Sequence, residues 1–289
     1  MSTSEVIASP TWIYLERLSS GKPLLPSLRQ LRWFLTSAWS TELLLLATPA
    51  LDHLTVDYAQ SFPEDDSEWE SGINALFRHV FALSTRITQL ILHTRRLDFA
   101  RHVPLLSTLV QLRVLKLYQW DDGGGIHAEQ LQVLSRLPEL NTLRIVLDMY
   151  DDPIPVFHGF ERLRKLIIVD TIGSVQKLFA TCNLHSLREL DLTHTVYGAH
   201  DDWIVASEAV AANLRNLARC NWKICPTDPD ELSTTAEVLT RMLTPLASLR
   251  YLQYVAVTVE VACADGGVSD TLLRTLAEAW PRLRKLALL

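Results

Sequence analysis

The stretch Phe160–Leu192 decides the fold of this chain. It contains Leu163-Arg-Lys-Leu166-Ile-Ile168 and, 24 residues later, Leu187-Arg-Glu-Leu190-Asp-Leu192. In both runs the fourth and sixth residues are apolar while the fifth varies, which is the alternation of a half-buried β-strand. Between the runs, apolar residues recur at the spacing of one helical face. These are Val175, Leu178, Phe179 and Cys182. The pattern predicts a unit made of a strand, a turn, a helix and a return.

The same six-residue phrase, Leu-x-x-Leu-x-apolar, recurs along the whole chain. Ten candidates begin at Leu28, Leu51, Ile87, Leu112, Leu140, Leu163, Leu187, Leu214, Leu249 and Leu283. The phrase at Leu214 is the weak one, since its sixth residue is Arg219. This leaves open a strand at 220–224 instead.

A unit this small cannot bury its own apolar face, so it must stack on its neighbours. The repeats therefore predict an α/β leucine-rich-repeat solenoid, curved, with parallel strands on the concave face and helices on the convex face. We expect residues 1–289 to form a single irregular domain. Residues 1–27 would be a lead-in, and about ten repeats would occupy 28–289.

The segments between the phrases give local predictions. The acidic segment Ser61–Gly72 is expected to be an exposed loop. Gly173 and Ser174 are expected to form a turn and a helix N-cap, and Asp270 is expected to cap the last helix.

Composition narrows the class of protein. The apolar content of 48% excludes a disordered chain, and the net charge of −6 argues against a nucleic-acid binder. Four cysteines make no disulfide framework, and the amino terminus lacks the pattern of a signal peptide. The longest strongly apolar run, 43–47, is far too short to span a membrane. We expect a cytoplasmic or nuclear protein that is not secreted.

Two features resemble a known family. One is the run from Trp12 to Trp33, and the other is the set of irregular repeats with Ser-Leu-Arg-x-Leu and Thr-Pro-Ala-Leu-x-x-Leu. Together they resemble the leucine-rich-repeat portion of F-box proteins of mushroom-type fungi. The resemblance implies repeats that hold a substrate for ubiquitination, beside an F-box that docks a Skp-type adaptor.

The F-box itself is absent, since nothing before Leu28 offers its Leu-Pro-x-Glu-like opening. A Skp-type adaptor is therefore expected only for a longer form that carries an F-box. Two alternatives remain open. One is a structural or regulatory scaffold unconnected to ubiquitination, and the other is a truncated paralogue without ligase activity.

No motif predicts catalysis, a cofactor or a metal. The loop Asp121–Gly125 lacks the ligand pattern of a calcium loop, and no Lys-Ser/Thr follows for a phosphate cradle. His194 and His200 lack the companions of a zinc motif and are expected to be solvated. Cys220 and Cys225 are expected to be buried structural thiols.

An arginine often follows the first leucine of the phrase, which would place a row of arginines along one rim. The row comprises Arg29, Arg113, Arg164, Arg188, Arg215, Arg250 and Arg284. It could meet an acidic partner. The interpretation we favour from sequence is that it solvates the start of each strand and pairs with acids such as Glu161 and Glu189.

The third, fifth and seventh residues of each phrase face away from the core leucines, onto the concave side. They form a mixed polar and aromatic surface that suits protein recognition. The candidates on this face are Arg32, His53, Asp57, His93, Lys116, Tyr118, Arg144, Lys165, Glu189 and Asp191. Loops add Tyr58, Trp120, Asp121 and His194.

Overall fold

Leucine phrases become parallel strands throughout the computed structural model. It describes Tyr14, Arg17, Ser20 and residues 22–35, 42–58, 67–94, 102–119, 125–149, 158–169, 172–192, 200–224, 235–259 and 269–288. These residues form two compact units.

In its described residues, the first unit alternates four strands with three helices. In chain order it contains β1 (Gln30–Leu35), α1 (Glu42–Leu46), β2 (His53–Tyr58), α2 (Ser67–Leu83), β3 (Gln89–Thr94), α3 (Val103–Leu106) and β4 (Val114–Gln119). Each strand pairs in parallel with the next one along the chain. The fourth residues of the phrases lie side by side, because Leu31 is in register with Leu54, Leu54 with Leu90, and Leu90 with Leu115.

The second unit continues the pattern with six strands and five helices in its described part. It contains α4 (Ala128–Ser135), β5 (Thr142–Val146), β6 (Lys165–Val169), α5 (Ile172–Thr181), β7 (Glu189–Leu192), α6 (His200–Asn213), β8 (Arg219–Ile224), α7 (Thr235–Leu246), β9 (Tyr254–Val259), α8 (Asp270–Ala279) and β10 (Lys285–Leu288). All its strand pairs are parallel and in chain order. On the helical layer α5 packs on α6, and α6 on α7.

The spaced leucines form the core, as the phrase predicts. Leu54, Leu90 and Leu115 are fully buried, and Leu166 and Leu190 are 1% exposed. The helical face predicted within α2 is also buried, with Phe77 and Phe81 stacked at 5.4 Å between ring centroids. The predicted α/β class with parallel repeat strands is therefore confirmed. The prediction of one continuous domain stays a prediction.

The register predicted for two repeats was wrong by three residues. Cys220 lies opposite Leu190, and Val255 lies opposite Cys220. The phrases of β8 and β9 therefore begin at Leu217 and Leu252, and not at Leu214 and Leu249. The alternative strand at 220–224 is the correct one, with one further residue at its start.

Three local predictions were also wrong. Residues 67–72 of the predicted loop 61–72 begin helix α2, while 61–66 lie outside the described residues. Gly173 and Ser174 lie inside the first turn of α5. The cap of α8 is Ser269, whose Oγ accepts a hydrogen bond from the Leu272 amide at 3.2 Å.

Candidate binding face of the strands

The third, fifth and seventh residues of the phrases form a face opposite the buried leucines. We call it the polar strand face. Strand alternation places these side chains there, because neighbouring residues of a strand point to opposite sides of the sheet. In β5, for example, Leu143 and Ile145 are buried while Thr142, Arg144 and Val146 are half-buried.

In the first unit this face carries a chain of contacts across all four strands, which we call the Asp57 ladder. Arg32 Nε donates to Asp57 Oδ2 at 2.6 Å, and His93 Nε2 lies 3.8 Å from Asp57 Oδ1. The rings of His93 and Tyr118 stack at 4.4 Å between centroids with an 11° tilt. The guanidinium of Arg32 also lies 5.5 Å from the centre of the Phe34 ring. Four strands thus contribute to one connected set of side chains.

The electrostatics of the ladder centre on the carboxylate of Asp57. Asp57 is only 8% exposed, and a buried carboxylate is costly unless it is paired. The hydrogen bond to Asp57, followed by the charge of its carboxylate, raises the pKa of the Arg32 guanidinium. The Arg32 side chain is nevertheless 66% exposed, so it remains accessible to a partner molecule.

The second unit carries a different set on the corresponding face of its own strands, which we call the Glu189 cluster. Glu189 lies between two cations, with Lys165 Nζ 3.1 Å from Oε2 and Arg219 Nε 3.8 Å from Oε1. Beyond Arg219, the ammonium of Lys285 lies 5.3 Å from the centre of the Tyr254 ring. A depression of about 240 Å³ lies here, lined by Lys165, Glu189, Leu190, Asp191, Arg219, Asn221 and Tyr254.

One polar atom of this depression lacks a partner. The side-chain oxygen Oδ1 of Asn221 is buried and accepts no hydrogen bond from the described residues. A buried acceptor left in this state costs about 1–3 kcal/mol. An N–H group entering the depression would find an acceptor there.

The structure places most of the predicted site residues on this face. Arg32, Asp57, His93 and Tyr118 form the ladder, and Lys165 and Glu189 form the cluster. The others on described strands are His53, which contacts Asp52 through Nδ1, and Lys116, Arg144 and Asp191. Tyr58 is the last residue of β2, with its side chain outside the description, and Trp120 and His194 lie outside the described residues.

Sequence reasoning missed Phe34, Arg219, Tyr254 and Lys285. Phe34 and Lys285 occupy the seventh and third positions of correctly aligned phrases, so the alternation could have found them. Arg219 and Tyr254 were hidden by the wrong register. It placed both at the sixth, core-facing position, whereas they occupy the third.

The remaining candidates from the sequence are the possible metal ligands, the cysteines and the glycine-rich loop. No group of three or more His, Cys, Asp or Glu side chains in this part of the chain could hold a metal ion. Cys182 and Cys220 are buried thiols, as expected for Cys220. Burial raises the pKa of Cys182 to about 12, and burial, followed by the nearby Asp191, raises the pKa of Cys220. Cys225, His194 and the loop 121–124 lie outside the described residues.

Membrane insertion has no candidate in the same part of the chain. No described helix combines the length and the apolar character that a membrane crossing needs.

Parallel strands in chain order, helices between them and leucines at this spacing define an α/β leucine-rich-repeat protein. No protein-family model matches the chain, and no curated protein matches it. Among solved structures it is similar to the crystal structure of a protein from Bacteroides fragilis. The two are 14% identical with a TM-score of 0.40, and the match covers 83% of this chain and 67% of that one.

Proposed function

We propose that the polar strand face binds a protein partner and performs no catalysis. The observation that supports this most is the Asp57 ladder, in which charged and aromatic side chains hold one another in place on an accessible surface. Arg and Tyr are among the residues that contribute most at protein interfaces. Side chains that are already ordered lose less conformational entropy when a partner binds.

The second unit offers complementary chemistry on the same kind of face. The Glu189 cluster presents Lys165, Arg219 and Lys285, and the Oδ1 of Asn221 can accept a hydrogen bond from a partner's N–H. A partner that supplies this donor would relieve the cost of the unsatisfied acceptor. Polar groups of this type favour specificity over bulk affinity.

The resemblance to fungal F-box proteins supports a finer proposal. The bound partner would be a protein destined for ubiquitination, held by these repeats as the substrate. A Skp-type adaptor would bind only a longer form of the chain that carries an F-box. The alternative is a leucine-rich-repeat scaffold that binds its partner outside the ubiquitin system.

The experiment is a comparative affinity purification with the full chain as bait. Arg32→Ala and Tyr118→Ala remove the two ends of the Asp57 ladder, whereas Arg78→Ala removes an exposed arginine on helix α2. We expect a set of proteins that the wild type and Arg78→Ala capture and that both ladder variants lose. Capture that is equal for all four baits would contradict the proposal.

The finer proposal needs a second readout. Deleting the gene should raise the abundance of the captured partner and lower its ubiquitination if the chain acts within a ligase. Unchanged ubiquitination, with binding intact, would favour the scaffold alternative.

A further inference from the structure

The second unit has a second charged surface, at the amino ends of its strands. Its exposed arginines lie in the turns that lead into β6–β10. We call this set the arginine edge, and it consists of Arg164, Arg188, Arg215, Arg250, Arg282 and Arg284. We propose that the arginine edge binds an extended acidic segment of a partner protein. This surface is separate from the polar strand face, so the proposal does not depend on the function proposed above.

Backbone hydrogen bonds place these turns side by side. The Arg188 amide donates to the Arg164 carbonyl at 2.8 Å, and the Arg219 amide donates to the Arg188 carbonyl at 2.9 Å. The Arg284 amide donates to the Gln253 carbonyl at 2.8 Å. The turns therefore follow the strand spacing of about 4.8 Å, and the edge from β6 to β10 is roughly 19 Å long.

The corrected register changes the row predicted from the sequence. Arg164, Arg188 and Arg284 do follow the first leucine of their phrases. Arg215 and Arg250 instead lie two residues before that leucine, because the phrases begin at Leu217 and Leu252. The arginines of the edge therefore do not share a single position of the phrase.

The arginines of this edge are exposed to solvent, as the interpretation favoured from the sequence expects, but among the described residues they have no acidic partner. None of its six arginines makes an ion pair with a described residue. The carboxylate of Glu189 contacts Lys165 and Arg219 instead, and the Arg188 Nη1 donates to the Asn216 carbonyl at 3.0 Å. Within the turns 161–164, 185–188, 215–218, 250–253 and 281–284, Glu161 is the one acidic residue. The edge is therefore strongly positive in a chain whose net charge is −6.

A groove of about 440 Å³ opens within the edge. It is lined by Ala211, Ala212, Arg215, Ser248, Arg250 and Tyr251. Tyr251 is 45% exposed, and the guanidinium of Arg282 lies 5.0 Å from the centre of its ring. The stacked pair fixes one cation beside a partly apolar groove, which can take an apolar side chain next to an acidic one.

Helix stabilisation explains only part of the edge. Arg215, Arg250 and Arg282 follow the ends of α6, α7 and α8 by two to four residues, where a cation interacts favourably with the helix dipole. Arg188 lies seven residues beyond the end of α5, and Arg284 lies five beyond that of α8. These two are outside the last helical turn, where the effect of the dipole has decayed.

The shape of the edge favours an acidic peptide over the other polyanions. An extended segment of about six residues spans the same roughly 19 Å. Single-stranded nucleic acid binds by stacking bases on aromatic rings, but Arg282 already covers one face of Tyr251. A membrane surface would be met by a broad basic area, whereas this one is a narrow edge with an acid at Glu161.

The test is fluorescence anisotropy with the full chain and a labelled peptide of about six residues, the length that matches the edge. The probe alternates Glu with Leu, and a control probe replaces every Glu by Gln. The double variant Arg250→Glu/Arg282→Glu should weaken binding of the acidic probe by about tenfold or more, because it reverses two charges at the groove. Arg241→Glu/Arg274→Glu makes the same change on exposed helix positions and should leave binding within about twofold.

If circular dichroism shows that the charge-reversed variant is unfolded, the salt dependence of binding to the wild type still tests the proposal. Raising the salt concentration from about 0.05 M to 0.5 M should weaken binding of the acidic probe by about tenfold, because exposed charges are screened. Equal binding of the acidic and neutral probes, or equal losses in the two double variants, would overturn the proposal. So would tighter binding of a single-stranded oligonucleotide, or of phosphatidylserine vesicles, than of the peptide.

Discussion

Three buried tryptophans of the second unit differ in what their indole N–H groups contact. Trp280 Nε1 donates to the Leu246 carbonyl at 3.0 Å. Trp203 and Trp222, whose ring centroids are 6.2 Å apart, have buried N–H groups with no acceptor among the described atoms. All three side chains are at most 2% exposed. Burial of the ring therefore contributes similarly to stability at all three tryptophans, while a hydrogen bond of the indole N–H contributes only at Trp280.

This difference gives a matched pair of substitutions. Trp280→Phe removes one of two donors to the Leu246 carbonyl, which still accepts from the Leu249 amide at 2.9 Å. Trp222→Phe removes a donor that has no acceptor among the described atoms. We expect Trp280→Phe to lower the free energy of unfolding by about 0.5–1.5 kcal/mol more than Trp222→Phe does, the net contribution of one hydrogen bond. Urea unfolding of the full chain, followed by far-ultraviolet circular dichroism, measures the difference. A larger loss for Trp222→Phe would show that packing and not hydrogen bonding decides at these positions.

Individual strands show how far local sequence determines this fold. Eight phrases were aligned correctly because the leucine pattern within each is enough to place the strand. At β8 and β9, two possible first residues of the phrase lie three positions apart, Leu214 or Leu217 and Leu249 or Leu252, and all four leucines are buried. The Leu-x-x-Leu pattern favours the wrong one, because the fourth residues of the correct phrases are Cys220 and Val255. Pairing with the neighbouring strands decides between them, and that information is not local.

The candidate site depends on the same non-local information. The sequence predicted that Arg32, Asp57, His93 and Tyr118 share a face, since alternation alone requires it. Which of them touch depends on the strand register, which brings Phe34 opposite Asp57 and His93 opposite Tyr118. Arg219 and Tyr254 could not be assigned to the face without the correct register.

The N-cap of helix α8 can be tested directly. The sequence predicted it at Asp270, and the structure has it one residue earlier, at Ser269. Ser269 has an extended backbone and its side chain caps the helix, while Asp270 lies in the first turn. We expect Ser269→Ala to lower the stability of α8 by about 1 kcal/mol, because the Leu272 amide loses its acceptor. Hydrogen exchange of the α8 amides provides the measurement.

Asp270→Ala serves as the control for this helix. It removes only the favourable interaction with the helix dipole, which is worth about 0.3–1 kcal/mol. If Asp270→Ala increased exchange in α8 more than Ser269→Ala did, the aspartate would be the residue that stabilises this end of the helix.

Across the molecule, stability is expected to be a sum over neighbouring repeats. Within each of the two compact units, each strand pairs with its neighbours in chain order, and each repeat buries its leucines against the adjacent repeats. In such proteins the stability consists of a contribution from each repeat and one from each interface. Damage to one repeat should therefore spread to its neighbours and diminish with distance along the chain.

Leu166→Asp in β6 tests this expectation, because it places a carboxylate at a side chain that is 1% exposed. The loss of a buried leucine alone costs about 1.5–3 kcal/mol, and burial of the charge adds to that cost. Hydrogen exchange should increase most in β6, then in its partners β5 and β7, and least in β9 and β10. Ala180→Asp, at an exposed position of α5 in the same repeat, should leave these rates nearly unchanged. Uniform loss of protection in all six strands would instead mean that this unit unfolds as one cooperative body. The interface between two repeats would then contribute more free energy than the folding of a single repeat.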